Sequence, residues 1–501
     1  MITSPIRTSP RRATSRRVTL PPPIGGWNTR DDPAQMTPVD ATHLVNFYPE
    51  INQVRVRRGY IEHADTVGAG NVDTVISFDN GATQKLLATS PTNIYDATSA
   101  GTASSLAGSF TSGQWQHDMM GGVMGLVNGA DAPQTFNGTT VSAMTVSGSG
   151  LTVADLIGIK VFKSRSYFWE DGSQDFWYSA TNTLGGALTK FSLSQIASGG
   201  GKLLFMDNWT VDGGSGVDDY AIFVMATGEV IVYQGSDPGT AADWALVGKY
   251  KIPTPMSARS HCKIGSEVMI LTDSDVVYVP SAFSRPAPPA TKLKGALELA
   301  GPSYRANFGW QALYYSTRNM LILNIPVSAT QFEQYVMNME TGAPARFIEQ
   351  NARSLCVHDD TLYFGTTDGR VMQADTGTND DGSNIDADAR QAWNDFGSPN
   401  KKKVEAFRTV FSGTSSFVAG SEIAYDFDNA TVNRTTTTGG SGTPWGSPWG
   451  SPWSSATSVR DEWKLAAGHG QALSVQVSIS VEGERPAWYR TDLLLGQGLN
   501  I

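Results

Sequence analysis

Cysteine is almost missing from this chain: two occur in 501 residues, Cys262 and Cys356, far apart and each inside a strand-like run. That excludes a disulfide-stapled scaffold, and both are expected as buried reduced thiols, as in a chain made in a reducing cytoplasm. No stretch approaches the ~20 consecutive apolar residues of a membrane span. Met1 to Val18 is polar and Arg-rich, without the apolar core of a secretion signal, so a soluble, non-secreted product is expected. Histidine is scarce, and His43, His63, His117, His261, His358 and His469 never pair at metal-ligand spacing. The phosphate-loop, zinc-protease and nucleophile-elbow motifs are all absent. Glu170-Asp171 and Asp218-Asp219 are candidate acid pairs for glycoside cleavage, but turns use acids for ordinary hydrogen bonding. The expectation is a non-enzyme with no cofactor and no metal. Positive charge is also short: Lys+Arg 37 against Asp+Glu 47 leaves a net −10. An acidic body does not track nucleic acid through phosphate contacts, but it suits a surface that must not stick to DNA.

What is present is glycine (52), 10% aromatic and 40% hydrophobic residues, the composition of many tight turns between apolar strands. Phe223–Tyr233 reads as strand, polar-Gly turn, strand, and Leu362–Met372 repeats the pattern. Pairs of this kind recur from about Val72 to Asp375. They include Val75–Phe78 with Lys85–Thr89 and Asn93–Asp96, Gly122–Asn128 with Gln134–Asn137, and Lys263–Leu271 with Val276–Pro280. Lys160–Glu170 reads as one strand, followed by Phe176–Ser179 after a turn at Asp171-Gly172. A spacing of about 40 to 50 residues is the blade period of a β-propeller. The fold expected is all-β: a propeller of about six or seven degenerate blades, with a β-rich platform built from the N-terminal strand and C-terminal region. A series of β-sandwiches is the competing architecture. Val153–Ile157, Ala187–Ala197 and Ala296–Ala300 are expected as short helices at most.

The domain plan runs in order. Residues 1–19 form an Arg-rich arm and 20–70 an N-terminal β segment packing on the platform. The propeller occupies 71–375, an acidic loop 376–390 and a C-terminal β domain 391–501. In the arm, Arg7, Arg11, Arg12, Arg16 and Arg17 occur with no acid among them. It is either an assembly contact for an acidic neighbour or DNA, or a solvated tail. Val54–Tyr60 alternates apolar and basic residues, leaving Arg55, Arg57 and Arg58 as a candidate channel or interface face, with a solvated strand face as the alternative. Lys401, Lys402 and Lys403 form a second such candidate. Asp375–Asp388 reads as an exposed linker whose acids lack the order of a calcium loop. In the segment 439–454 a Trp-Gly-Ser-Pro repeat carries Trp445, Trp449 and Trp453. Proline blocks strand and helix there, so a projecting loop is expected, its indoles either intermolecular anchors or folded back on their own domain.

Several separated motifs carry a family resemblance. Gly25-Gly26-Trp27-Asn28-Thr29-Arg30-Asp31, Asn46-Phe47-Tyr48-Pro49-Glu50 and Arg57-Arg58-Gly59 resemble the opening of tail proteins of short-tailed bacteriophages. Thr227–Pro238 is similar to a central signature of those proteins, continued in Trp244–Gly248 and His261–Gly265. Leu362–Gly365, Gly369-Arg370-Val371 and Ala392–Lys402 are similar again. The resemblance is to the tail nozzle family, also called tail tubular protein B, and to the related tail hub proteins. It implies a structural virion protein without catalytic residues: propeller subunits in a hexameric ring below the portal and adaptor, lining and closing the DNA exit channel. Implied partners are further copies of the chain, the adaptor or head-to-tail connector ring, possible tail fibres, and phage DNA passing without sequence-specific binding. The implied location is the virion tail, after synthesis in the bacterial host cytoplasm. Two other classes stay open: a tail-tip receptor- or glycan-binding propeller, in which the three Trp stack on sugars, and a glycan-degrading enzyme.

Overall fold

Turn chemistry sets the local structure. Asp359 and Asp360 both take positive φ (46° and 55°) between strands Ser354–His358 and Thr361–Gly365. Two successive left-handed residues match the right-handed twist of the strands they join, which is why such two-residue turns make hairpins. Lys163 and Ser164 do the same, at φ 44° and 62°, between Leu156–Phe162 and Arg165–Glu170. The run Lys160–Glu170, expected as one strand, is therefore a hairpin whose turn contains neither glycine nor asparagine.

The computed structural model describes residues 15–68, 70–212, 217–279, 291–413, 417–437, 458–460, 462–466 and 468–497. The chain divides into two compact units, one of residues up to Arg57 together with residues from Ser383 onward, the other Arg58–Gly382.

The unit Arg58–Gly382 is a β-propeller with six sheets made only of its own strands. The first holds Thr74–Asp79, Gln84–Thr89, Asn93–Asp96 and Ser104–Gly108, and the second Gln116–Met120, Val123–Val127, Gln134–Phe136 and Val141–Ala143. The third holds Leu156–Phe162, Arg165–Glu170, Asp175–Tyr178 and Gly186–Ser192, edged by Val146–Gly148. The fourth holds Leu203–Asp212, Val217–Met225, Glu229–Gln234 and Ala245–Lys251, and the fifth His261–Ile264, Glu267–Leu271 and Val276–Val279. The last sheet closes the ring: Ser354–His358, Thr361–Gly365 and Val371–Thr376 are completed by Gly59–Asp65, which runs antiparallel to Val371–Thr376. Between the fifth sheet and the last stands the meander Gln311–Tyr315, Met320–Pro326, Phe332–Asn338 and Ala343–Phe347, its first strand packed against the first strand of each. Six sheets plus this meander account for the expected count of six or seven.

The other unit contains two sheets. In one, Lys402–Gly413 pairs with Ala487–Gln497, which also receives Arg16–Leu20 and Gln53–Val56. In the other, Ile385–Gln391 lies between Asp40–Val45 and Leu473–Val481, and Phe417–Tyr425 follows. Strands from both ends of the sequence thus share these sheets, as the platform expectation had it.

Three expectations need correction. The break expected at residue 70 falls at Arg58, because Gly59–Asp65 is a propeller strand. The acidic stretch is not one exposed loop: Ile385–Gln391 is a strand with Ile385, Ala387, Ala389 and Gln391 buried. Small alanines alternating with Asp386 and Asp388 bury one face without a conspicuous apolar run. Ala187 to Ser192 is likewise strand, whereas Ala296–Ala300 lies in the α-helix Lys294–Tyr304. Among the described residues no helix is long and apolar enough to cross a membrane.

An aromatic core joins the third and fourth sheets. Phe176 stacks on Phe223 with centroids 4.7 Å apart, and Tyr233 stacks on Trp244 at 5.0 Å. Phe223 is 0% exposed. Offset stacking adds to the transfer energy of such rings. Phe223→Ala should therefore cost about 3–5 kcal/mol. Leu246→Ala, at a position 46% exposed, should stay within about 0.5 kcal/mol of the parent. Paired denaturant melts check both.

Candidate functional site

The first strands of the propeller sheets bring distant polar residues together. Strand Leu156–Phe162 supplies Lys160, Leu203–Asp212 supplies Asp207, and His261–Ile264 supplies His261 and Lys263. Asp207, its side chain 3% exposed, lies 2.9 Å from the Lys160 ammonium and 3.7 Å from both His261 Nε2 and the Lys263 ammonium. Burial works against the Asp207 charge, but the cations around it hold its pKa below the ordinary carboxylate value. The Lys160 ammonium is also burdened by burial, and Asp207 with Asp118 more than offsets it, raising its pKa. Burial pushes His261 down to about 4 against the pull of Asp207, so the ring is neutral at pH 7. That neutral ring stacks on Phe205 at 3.9 Å.

A second cluster gathers residues at the starts of the first, second, fifth and last sheets. Arg353 Nε donates to Asp73 Oδ1 at 2.6 Å, with both side chains nearly buried. Arg259 donates to the Asp73 carbonyl (3.0 Å), to Thr74 Oγ1 (2.6 Å) and to the Trp115 carbonyl (3.1 Å). Both guanidinium groups lie over Phe308, 5.3 Å and 4.6 Å from its ring centre. Burial pushes Arg259 down to about 10; Asp73 opposes this and Arg353 adds to it.

Between the clusters lies a cavity of about 380 Å³, whose lining includes Thr74, His117, Arg259, His261, Gln311 and Cys356. His117 lines it, and desolvation, helped by Arg259 and Lys160 and opposed by Asp118, pushes the imidazole below its ordinary pKa. Cys262 and Cys356 also line it as free, half-buried thiols. Burial raises both thiols to about 12, so they stay protonated and are poor nucleophiles. Among the described residues no group of three or more His, Cys, Asp and Glu is placed to hold a metal ion.

The residues singled out from sequence are not gathered here. Arg7, Arg11, Arg12, Trp445, Trp449 and Trp453 lie outside the described residues. Arg16 and Arg17 are exposed on strand Arg16–Leu20, and Arg17 reaches the buried Asp492 at 2.9 Å. Arg55, Arg57 and Arg58 do not share an open face. Arg55 meets Glu50 (3.4 Å) and the Arg485 carbonyl (3.2 Å). Arg57 is 1% exposed and donates to Asn46 Oδ1 at 2.9 Å, so it is an interior strut and not a channel residue. Arg58 belongs to the propeller, beside Asp375 in a cavity of about 20 Å³. Lys401 and Lys403 are exposed, whereas Lys402 is buried, its ammonium donating to the carbonyls of Ser398, Asn400 and Gln471. Strand alternation points 402 inward, and a buried ammonium needs acceptors. The acid pair Glu170-Asp171 serves its turn: Glu170 accepts from the Thr152 amide, and Asp171 pairs with Lys202.

Sequence reading missed Lys160, Asp207, Arg259 and Lys263 altogether. Lys160, Asp207 and Lys263 lie on strands of three different sheets and Arg259 in the turn before His261–Ile264, and only the packing of the sheets makes them neighbours.

No family model matches the chain, and no curated protein matches it by sequence. Solved structures resemble it at low identity. The β-propeller domain of Cps50 (Swd1) from Myceliophteria thermophila is 11% identical, with TM-score 0.41 over 64% of this chain and 98% of that one. YCF48 bound to D1 peptide is 8% identical, with TM-score 0.36 over 64% and 94%. PorZ, a surface component of the type-IX secretion system of Porphyromonas gingivalis, is 10% identical, with TM-score 0.36 over 62% of this chain. The chain spans 37% of the length of that PorZ structure.

Asp492 offers a pH test. Its side chain is fully enclosed; burial opposes its charge, but hydrogen bonds from Thr19, Arg408 and Arg17 bring its pKa down to about 2. A folded pKa below the unfolded value of about 3.9 gives stability that is complete above pH ~4 and lost as pH falls toward 2. Solvent near Arg17 screens part of this, leaving about 1–2 kcal/mol. Asp492→Asn should lower stability at pH 7 by that amount and flatten the acid limb of a stability-versus-pH curve. Lys402→Ala, which leaves three carbonyls unpaired, should cost about 1–3 kcal/mol. Lys401→Ala and Lys403→Ala should be silent in the same urea titrations.

Proposed function

We propose that this chain is a structural virion protein of a short-tailed bacteriophage, a tail nozzle or hub subunit. Copies of it form a closed ring, a hexamer, around the path by which DNA leaves the particle, and hold the DNA before ejection. One observation carries the reading: the motif residues that resemble the tail proteins are framework residues. In Thr227–Pro238, Gly228 takes φ 86° at the hairpin turn and Glu229 accepts from the Ser198 and Gly199 amides. The loop that follows is tied by Asp243, which accepts from the Ser236 and Asp237 amides. Arg370 contacts Glu62, Asp368 and Asp381 beside the ring-closing strand, and Trp393 packs on Phe427. Residues that set shape suit an assembly part.

The propeller's own cavity of about 380 Å³ is too small for a duplex whose major groove alone is about 12 Å wide. The DNA path in this reading therefore runs between subunits. Each copy brings a net charge of −10, so the assembled wall repels the phosphate backbone and lets it slide. The adaptor ring and the tail fibres are the neighbouring partners, and the virion tail is the location. Electron microscopy of the intact particle tests this. A sixfold ring of this chain on the tail axis below the portal is the expected result, and density off that axis would sink the reading.

A further inference from the structure

The lining of the propeller cavity contains no carboxylate, although the chain as a whole carries a net −10. Its charged side chain is Arg259, and its neutral polar groups include Gln311, His117 and Thr74. Arg259 spends three of its five N–H donors on Asp73, Thr74 and Trp115, which leaves two without a protein acceptor among the described residues. Its charge is incompletely matched, since Asp73 is shared with Arg353. A half-buried guanidinium with two uncommitted donors, in the lining of a roomy cavity free of acids, suits an oxyanion held through charge-assisted hydrogen bonds. The volume of about 380 Å³ lies within the range of small-molecule sites, roughly 300–1,000 Å³.

We propose that the axial cavity of the propeller is a binding site for a small oxyanion, a free phosphate or small polycarboxylate, held by the open donors of Arg259 with His117 and Gln311 as neutral partners. The site is independent of the ring reading above, because it lies inside one subunit. A ligand there would touch the first strands of several sheets at once and so add to the closure of the propeller.

The test uses the full chain, titrated calorimetrically with inorganic phosphate and separately with tricarballylate, with chloride as control. Saturable binding of at least one oxyanion, and a melting temperature that rises with its concentration, are expected. Phosphate alone, tricarballylate alone or both would identify the class. His117→Glu places a carboxylate in the lining at an exposed position and should weaken binding at least about tenfold. Leu246→Glu, the same charge change on the exposed edge strand Ala245–Lys251, should leave it unchanged. Arg259→Gln should abolish it, and His117→Glu carries the test if that variant does not fold. No saturable binding of either anion, or equal binding by the parent and His117→Glu, would overturn the proposal.

Discussion

The propeller depends on one pairing between residues about three hundred positions apart. Strand Gly59–Asp65 lies along Val371–Thr376, with Ile61 opposite Gln373 and Tyr60 opposite Ala374. Elsewhere in the ring the sheets are meanders of consecutive strands joined by turns, apart from the short edge strand Val146–Gly148, which pairs with Gly186–Ser192. This pairing alone bears the loop-closure entropy of the whole unit. It is reinforced by side chains of the closing strand. Arg370 contacts Glu62 on the closing strand and Asp381 beyond it, while Tyr60 stacks edge-on against Phe364 at 5.3 Å. Without that strand the last sheet would present a bare edge, and the ring would have two open ends.

Closure also creates the interior. It brings the first strands of the sheets around a common axis, and the polar side chains they carry must then satisfy one another. Asp207 does so with Lys160, His261 and Lys263, and Asp73 with Arg353. A buried pair of this kind adds little net stability over an apolar core. Removing one partner, however, strands the other charge. Arg259, which lines the cavity, is the exception: three of its five donors have protein acceptors. An acidic protein thereby has an interior cavity whose lining includes an arginine and no carboxylate.

Hairpins were legible in the sequence wherever apolar alternation met an ordinary turn. Thr74–Asp79 with Gln84–Thr89, and Val217–Met225 with Glu229–Gln234, fall within two or three residues of where periodicity puts them. The reading failed where the local signal was absent. Lys163-Ser164 turns a hairpin without a turn-forming residue, and Ile385–Gln391 buries alanines in place of branched apolar side chains. Of the basic residues, Arg57 and Lys402 read as surface in the sequence because charge is normally outside. Their burial rests on acceptors, Asn46 in one case and three backbone carbonyls in the other, that are identifiable only once the strands are paired.

The amino-acid order by itself determined the strand content, the turns and the repeating module, because these follow from interactions among near neighbours: side-chain alternation, φ preference and the burial of one strand face. Tertiary structure alone decided where the units divide, which strand closes the ring, and which lone charges become partners. Those outcomes depend on contacts between residues far apart in the chain, and alternation along a single strand says which face is buried but not what will lie against it.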